Sequence, residues 1–192
     1  IQTLPDGIGF SAAFNDDVYE MKVQSPARFM VDNCLAAAAA GSLAGIDPAD
    51  IQLGIAAFRP EAGRMNICPL TKGMTLIDDA YNANPASVTQ ALNTLADISQ
   101  TGTSLAVLGD MLELGDSSRT LHFEVGKHAA DIGIDELYLF GPESEATKEG
   151  ALAAGFSPDK IVYASKEDIT QAILQRLTPP PWILVKGSRG MA

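Results

Sequence analysis

The feature that most constrains the fold is a regular alternation of strand-like and helix-like segments after residue 64. Apolar strand-like runs occupy 65–69, 74–79, 104–109, 136–141, 160–164 and 182–186. Between the last five lie segments with apolar residues at three- and four-residue spacing, at 85–99, 118–132, 143–154 and 166–177. Short strand–helix–strand connections require parallel pairing through right-handed crossovers. The pattern therefore predicts an α/β fold with a Rossmann-like, doubly wound, mostly parallel six-stranded sheet.

One strand of this sheet is expected to run against the others. The strand at 65–69 reaches its neighbour at 74–79 through the tight turn Thr71-Lys72-Gly73. So short a connection leaves no room for a crossover helix, and it joins antiparallel strands. We therefore predict that 65–69 is an antiparallel edge strand.

The residues before this sheet follow a different pattern. Residues 8–24 alternate loosely around Asn15-Asp16, which predicts a β-hairpin. Residues 29–43 favour a helix, and Asp47 with Pro48 is typical of a second helix start. The break at 60–63 places the predicted domain boundary, with domains at 1–62 and 63–192. Because the chain opens without Met and stops just past a strand, we expect a fragment of a longer protein.

Composition excludes several classes of protein. The chain has 13 Lys and Arg against 24 Asp and Glu, a net charge of −11, so it lacks the basic surface that nucleic-acid binding requires. No apolar run reaches the ~18 residues of a membrane-spanning helix. Cys34 and Cys68 show no CxxC spacing, which argues against a disulfide scaffold or zinc site and favours a reducing cytosol. His122 and His128, six residues apart on one predicted helix, also form a poor metal pair, so no metal site is expected.

Ligands of such sheets bind beyond the carboxyl ends of the parallel strands. Asp78 and Asp79 follow the strand at 74–79, and one carboxylate turned into the crevice would suit the hydroxyls of a ribose. A solvated turn is the alternative interpretation of this pair. Asn84 and Pro85, further along, are typical of a helix N-cap and first turn.

Two further strand ends carry polar residues. Asp110 and Glu113 lie in a loop bracketed by glycines after 104–109, and their carboxylates suit magnesium, an amine or ordered water. Lys186, Ser188 and Arg189 follow the last strand, where they suit a substrate carboxylate or phosphate. Exposed charges with no ligand remain the alternative for this last group.

Three of these strand-end strings resemble the Mur ligase family. They are Ile77-Asp-Asp-Ala-Tyr-Asn-Ala-Asn-Pro85, Leu108-Gly-Asp-Met-Leu-Glu-Leu-Gly115 and Val185-Lys-Gly-Ser-Arg-Gly-Met191. Residues 33–40 and 58–65 are similar to the last helices of the family's central ATPase domain and to the hinge that follows. The resemblance implies that 1–62 is the C-terminal part of that ATP-binding domain and 63–192 the C-terminal domain.

The activity implied by the resemblance is ATP-dependent amide-bond formation in peptidoglycan precursor synthesis, in the cytoplasm. ATP and Mg²⁺ would activate the carboxylate of UDP-N-acetylmuramoyl-tripeptide as an acyl phosphate, which the amine of D-Ala-D-Ala attacks. The sequence contains no GxxxxGK[ST] phosphate loop. The remaining domains of the same enzyme would supply that loop and the principal magnesium ligands, so we expect this chain to be inactive alone.

The resemblance also implies roles for individual residues. Asn33 would approach the adenine, Arg64 the ribose and phosphates, and Asp79 the ribose hydroxyls. The residues implied on the substrate side are Tyr81, Asn82 and Asn84, which would line the closed cleft, and Asp110, Glu113, Lys186, Ser188 and Arg189, which would surround the incoming dipeptide.

Two alternatives stay open at this point. One is a related ligase of the folylpolyglutamate synthetase type, against which the string Tyr81-Asn82-Ala83-Asn84 argues. The other is a non-catalytic receiver-like signalling module, because Asp78 and Asp79, Asp110 and Lys186 imitate the acidic pair, phosphorylated Asp and late Lys of a receiver. The spacing argues against a receiver, since Asp79 and Asp110 end successive parallel strands of the predicted sheet.

Overall fold

A computed structural model of the chain describes residues 1–4, 7–14, 17–99, 102–175 and 180–191. It divides into two compact units, Ile1–Glu61 and Ala62–Ala192. The strands are β1 (Gln2–Leu4), β2 (Gly7–Phe14), β3 (Asp17–Val23), β4 (Asn66–Pro69), β5 (Thr75–Asp78), β6 (Thr103–Gly109), β7 (Glu136–Phe140), β8 (Ile161–Tyr163) and β9 (Pro181–Lys186). The helices are α1 (Met30–Leu43), α2 (Pro48–Ala57), α3 (Pro85–Ile98), α4 (Ser118–Asp131), α5 (Ser144–Ala153) and α6 (Lys166–Gln175). No described helix has the length and apolar character needed to cross a membrane.

The first unit is a three-stranded antiparallel sheet with two helices. β2 and β3 form the predicted hairpin, with Ile8 opposite Val23, while its Asn15-Asp16 turn lies outside the described residues. β1, which the sequence did not reveal, adds to the free edge of β2. The second helix begins as predicted, since the Asp47 carboxylate accepts a hydrogen bond of 2.9 Å from the Ala49 amide.

The second unit contains a six-stranded sheet with the order β4-β5-β9-β6-β7-β8. β4 is antiparallel to β5, and every other neighbouring pair is parallel. The predicted α/β fold with a mostly parallel sheet and one antiparallel edge strand is therefore confirmed. Observed strand and helix bounds lie within about two residues of the predicted ones, and residues 176–177 of the last predicted helix lie outside the described part.

The last strand of the chain lies in the middle of this sheet. β9 pairs with β5 on one side and β6 on the other, and Ile183 and Leu184 in it are buried. The α6 crossover returns the chain from the β8 edge to this central position. Right-handed crossovers therefore place α6 on one face of the sheet and α3, α4 and α5 on the other. As a result, the carboxyl ends of β5, β9 and β6 lie side by side.

Helices α4 and α5 approach closely because each presents a glycine to the other. A Cβ atom at Gly126 would overlap the carbonyl oxygen of Thr147, and one at Gly150 would overlap the carbonyl oxygen of Phe123. Both positions are helical, so the requirement for glycine comes from the backbone separation of the two helices rather than from an unusual φ.

We expect Gly126→Ala to lower the free energy of unfolding by about 3 kcal/mol, because the added methyl meets backbone that cannot yield without separating the helices. Gly54→Ala is the matched control, since a Cβ at that helical position meets nothing within 4 Å. It should leave stability unchanged or raise it by about 0.5–1 kcal/mol. Urea denaturation of both variants measures the difference. Equal stabilities would show that α4 and α5 can move apart at little cost.

Candidate functional site

An ion pair joins the carboxyl ends of β5 and β9. The Lys186 ammonium lies 2.5 Å from Oδ2 of Asp79 and donates a second hydrogen bond of 2.9 Å to the Asn82 carbonyl oxygen. The backbone supports this pairing, because the Asp79 amide donates to the carbonyl of Val185 at 3.0 Å. The Lys186 side chain is 2% exposed and that of Asp79 13% exposed. Lys186, which the sequence predicted to contact a ligand, thus has two partners within the protein.

The surroundings of the Asp79 carboxylate act on its pKa in opposite directions. Burial raises the pKa of Asp79 above its ordinary value, and the hydrogen bond and positive charge of Lys186 lower it. A hydrogen bond of 3.1 Å from the Met65 amide to Oδ1 lowers it further. The net pKa is raised, so burial is the dominant effect. Asp78 turns elsewhere, since its carboxylate accepts from the Ala80 amide at 3.2 Å.

Beside this pair, two arginines lie over one tyrosine ring. The guanidinium carbon of Arg64 is 4.2 Å from the ring centroid of Tyr81, and that of Arg189 is 5.9 Å from it. Tyr81 is 44% exposed. Among the described residues, neither guanidinium group has a carboxylate partner. These three side chains are here called the arginine–tyrosine cluster. Both arginines are exposed, so their guanidinium groups are accessible from solvent.

A close backbone approach brings Arg64 to this ring. The Tyr81 amide donates to the carbonyl of Gly63 at 3.0 Å. Gly63 has a φ of 71°, and a Cβ there would lie 3.1 Å from the Tyr81 nitrogen. Only glycine combines this left-handed conformation with so close an approach. Gly63 thus holds the residues just before β4 against the segment that follows β5.

Asp110 has a structural set of partners. Its buried carboxylate accepts hydrogen bonds from the Glu143 amide at 3.1 Å and the Ser144 hydroxyl at 2.7 Å, at the start of α5. A carboxylate in this position satisfies N-terminal donors and complements the helix dipole. Glu113, in the same predicted site, is exposed and has a φ of 65°. One carboxylate of the predicted pair is therefore buried and hydrogen-bonded within the protein, and the other is exposed.

Ser188 fastens the loop after β6 to the end of β9. Its hydroxyl accepts from the Leu112 amide at 2.8 Å and donates to the Ala83 carbonyl at 3.3 Å. The Ser188 amide also donates to the carbonyl oxygen of Asp110 at 3.0 Å. Ser188 is buried, so these bonds hold three strand ends together.

His122 links two segments of the second unit, a role that the sequence pattern did not specify. Its Nε2 accepts a hydrogen bond of 2.9 Å from the Met111 amide, and its Nδ1 lies 2.8 Å from the carbonyl oxygen of Ser118. The histidine is buried. It thereby anchors the loop after β6 to α4. The only sequence signal was a histidine on the helix that follows this loop.

The remaining predicted site residues have separate positions. Asn84 forms a capping box with Ser87 at the start of α3, in agreement with its interpretation as an N-cap. Asn82 is exposed, and its carbonyl rather than its amide group contacts Lys186. Asn33 lies on α1 in the first unit, where it borders a cavity of about 350 Å³ between α1 and α2. Among the described residues, no cluster of three or more His, Cys, Asp or Glu side chains could hold a metal ion.

An apolar cavity of about 270 Å³ opens between β9 and α6. Val107, Phe140, Ile173 and Val185 contribute to its walls. Lys166 also lines the cavity. Its ammonium group donates to the carbonyl of Met191 and lies 5.4 Å from the Phe140 ring centroid. The cavity therefore suits apolar groups, whereas the arginine–tyrosine cluster is suited to anions.

Comparison with known proteins places this geometry in context. Residues 63–189 match the family described as Mur ligase, glutamate ligase domain. The chain is 36% identical over 162 residues to the UDP-N-acetylmuramoyl-tripeptide–D-alanyl-D-alanine ligase of Bacillus subtilis, covering 84% of this chain and 35% of that protein. Identity to the Escherichia coli protein of the same name is 35% over 167 residues, covering 87% and 36%.

Solved structures agree with these relatives. MurF from Acinetobacter baumannii superposes with a TM-score of 0.87 at 27% identity, covering 99% of this chain and 41% of that one. The chain thus spans about a third of the length of the curated relatives it matches.

We expect Lys186→Met to lower the free energy of unfolding by about 3 kcal/mol at neutral pH, because the buried Asp79 carboxylate loses its partner. The variant also loses the positive charge that lowers the pKa of Asp79, so that pKa rises further above the unfolded value. The folded variant then binds the proton more readily than its unfolded chain, and its stability falls as pH rises through the raised pKa.

The free energy of unfolding that Lys186→Met loses relative to wild type should therefore be larger at about pH 8 than at about pH 5. Urea denaturation at both pH values measures it. Lys127→Met is the control, since Lys127 is exposed on α4 and no described residue pairs with its ammonium group. A deficit independent of pH would show that Asp79 does not depend on Lys186 for its charge.

Proposed function

The chain belongs to the Mur ligase family, and on that premise we propose that the protein it forms part of joins D-Ala-D-Ala to UDP-N-acetylmuramoyl-tripeptide. The observation that carries the proposal is the similarity of more than four-fifths of the chain to proteins named UDP-N-acetylmuramoyl-tripeptide–D-alanyl-D-alanine ligase. The reaction would proceed in the cytoplasm through an acyl phosphate formed from ATP, as a step of peptidoglycan precursor synthesis. The free thiols Cys34 and Cys68 are compatible with that compartment.

The two compact units support a division of labour within this ligase. We assign residues 1–62 to the end of the central ATP-binding domain and residues 63–192 to the C-terminal domain. The boundary between the compact units at Glu61 and Ala62 and the start of the family match at residue 63 are both consistent with this assignment. The rest of the enzyme would provide the phosphate loop and the recognition of UDP-N-acetylmuramoyl-tripeptide.

Two residues of the second unit have side chains suited to a nucleotide. Arg64 offers a guanidinium group with no carboxylate partner among the described residues, which matches phosphate oxygens. Among the described residues, each oxygen of the Asp79 carboxylate has one hydrogen-bond partner, which leaves a lone pair that a ribose hydroxyl could use. Asn33, exposed on α1, is our proposed adenine contact in the first unit.

Magnesium would neutralise phosphate charge during acyl-phosphate formation. The described residues contain no acidic cluster able to hold it, so we assign its ligands to the rest of the enzyme. This chain's contribution is to bind and orient the nucleotide through Arg64 and Asp79.

The polar residues proposed on the acceptor side fall into two groups. Asp110, Lys186 and Ser188 are buried and already hydrogen-bonded, so we infer that they position the loops around the dipeptide. The exposed residues that could touch the acceptor or line the cleft are Tyr81, Asn82 and Glu113. Asn84, whose side chain caps α3, would shape the cleft through the start of that helix.

The complete protein should form the pentapeptide product and release phosphate only when ATP, UDP-N-acetylmuramoyl-tripeptide and D-Ala-D-Ala are all present. Mass spectrometry of the product and a phosphate-release assay measure this. L-Ala-L-Ala in place of D-Ala-D-Ala is the specificity control. Phosphate release with a reduced folate and glutamate instead would favour the folylpolyglutamate synthetase type of ligase.

The 192-residue chain alone should bind ATP with a dissociation constant of about 1 mM or weaker, because the triphosphate loop is missing and few contacts remain. It should also show no turnover. Isothermal titration calorimetry measures the affinity, with the complete protein as the reference. A low-micromolar constant would reveal a complete nucleotide site within this chain.

A further inference from the structure

We propose that Arg64 and Arg189 form one binding site for a polyphosphate, organised by the ring of Tyr81. The family resemblance implied two different ligands, the nucleotide for Arg64 and the acceptor dipeptide for Arg189. The structure instead places both guanidinium groups over the same aromatic ring. The identification of the polyphosphate as the phosphate chain of ATP rests on the proposed function, whereas the anion site itself rests on the geometry.

The geometry permits a shared ligand. The two guanidinium carbons lie 4.2 and 5.9 Å from one centroid, so their separation cannot exceed the sum of these distances. A guanidinium group in a cation–π contact with a ring uses the ring for its charge and not for its hydrogen bonds, and its N–H donors match phosphate oxygens. A chain of two or three phosphates is long enough to meet both groups.

Charge also favours a polyanion over a single carboxylate. The chain carries a net charge of −11, yet no carboxylate in the described residues pairs with Arg64 or Arg189. Two unneutralised cations on one ring repel each other, and a ligand with several negative charges relieves that repulsion. The single charge of a dipeptide carboxylate would neutralise only one of the two positive charges.

Both arginines are held near the ring through their neighbours. Gly63 binds the backbone of Tyr81 directly before Arg64, and Ser188 is bonded to the loop after β6 directly before Arg189. The two side chains therefore start from anchored backbone. Tyr81 is a positioning residue in this arrangement, because its ring aligns the two cations without contributing charge.

Titration of the chain with inorganic tripolyphosphate tests the proposal by calorimetry. Arg64→Ala and Arg189→Ala should each weaken binding about fivefold or more, and Tyr81→Leu should weaken it about threefold. Tyr81→Phe keeps the ring and should rescue most of the loss seen in Tyr81→Leu. Arg119→Ala is the matched control, because Arg119 is exposed on α4 and pairs with Glu149.

Titration with D-Ala-D-Ala in parallel separates the two ligands. If Arg189→Ala weakens dipeptide binding and leaves tripolyphosphate binding unchanged, the shared site is wrong. It is equally wrong if Arg119→Ala has the same effect as the two cluster variants, since binding would then follow net charge alone.

Kinetics of the complete protein provide a second readout. Both arginine variants should raise the KM for ATP about fivefold or more and change the KM for D-Ala-D-Ala less than twofold. A rise in the KM for the dipeptide alone in Arg189→Ala would overturn the proposal. Absence of ligase activity in the wild-type protein would reject the proposed function, while tripolyphosphate binding by the chain would still test the anion site.

Discussion

The arrangement of the strand ends at the candidate site depends on the buried ion pair between Lys186 and Asp79. It connects the ends of two neighbouring strands, and Lys186 also holds the carbonyl of Asn82 in the segment that follows β5. The Met65 amide binds the same carboxylate and so ties the entrance of β4 to this point. Because removal of either charge would leave the other buried without compensation, the strands and loops here are stabilised as one unit.

A second set of buried polar contacts extends this unit across the sheet. Ser188 joins the end of β9 to the loop after β6, and His122 joins that loop to α4. Asp110 continues the network to the start of α5. Most polar side chains at the strand ends thus satisfy buried backbone groups, which would otherwise destabilise the fold. The exposed side chains of the arginine–tyrosine cluster remain available to a ligand.

Local sequence patterns predicted the elements of the second unit well. Apolar periodicity located its strands and helices, and Asn84 marked the start of α3, as Asp47 marked the start of α2 in the first unit. These signals act over one or two turns of chain, so the sequence alone contains them. The strand β1 was missed because a three-residue strand has too short a pattern to detect. The site residues were sought at strand ends, and their roles as ligand contacts remain predictions.

The sequence by itself determined the α/β class, the parallel sheet and its antiparallel edge, since each follows from short-range periodicity and connection length. Only the tertiary structure decided that β9 inserts between β5 and β6. That insertion pairs Lys186 with Asp79 across 107 positions of sequence and leaves Arg189 beside Arg64 at the Tyr81 ring. The physical reason is that strand order and charge pairing depend on contacts between distant segments, which no local pattern records.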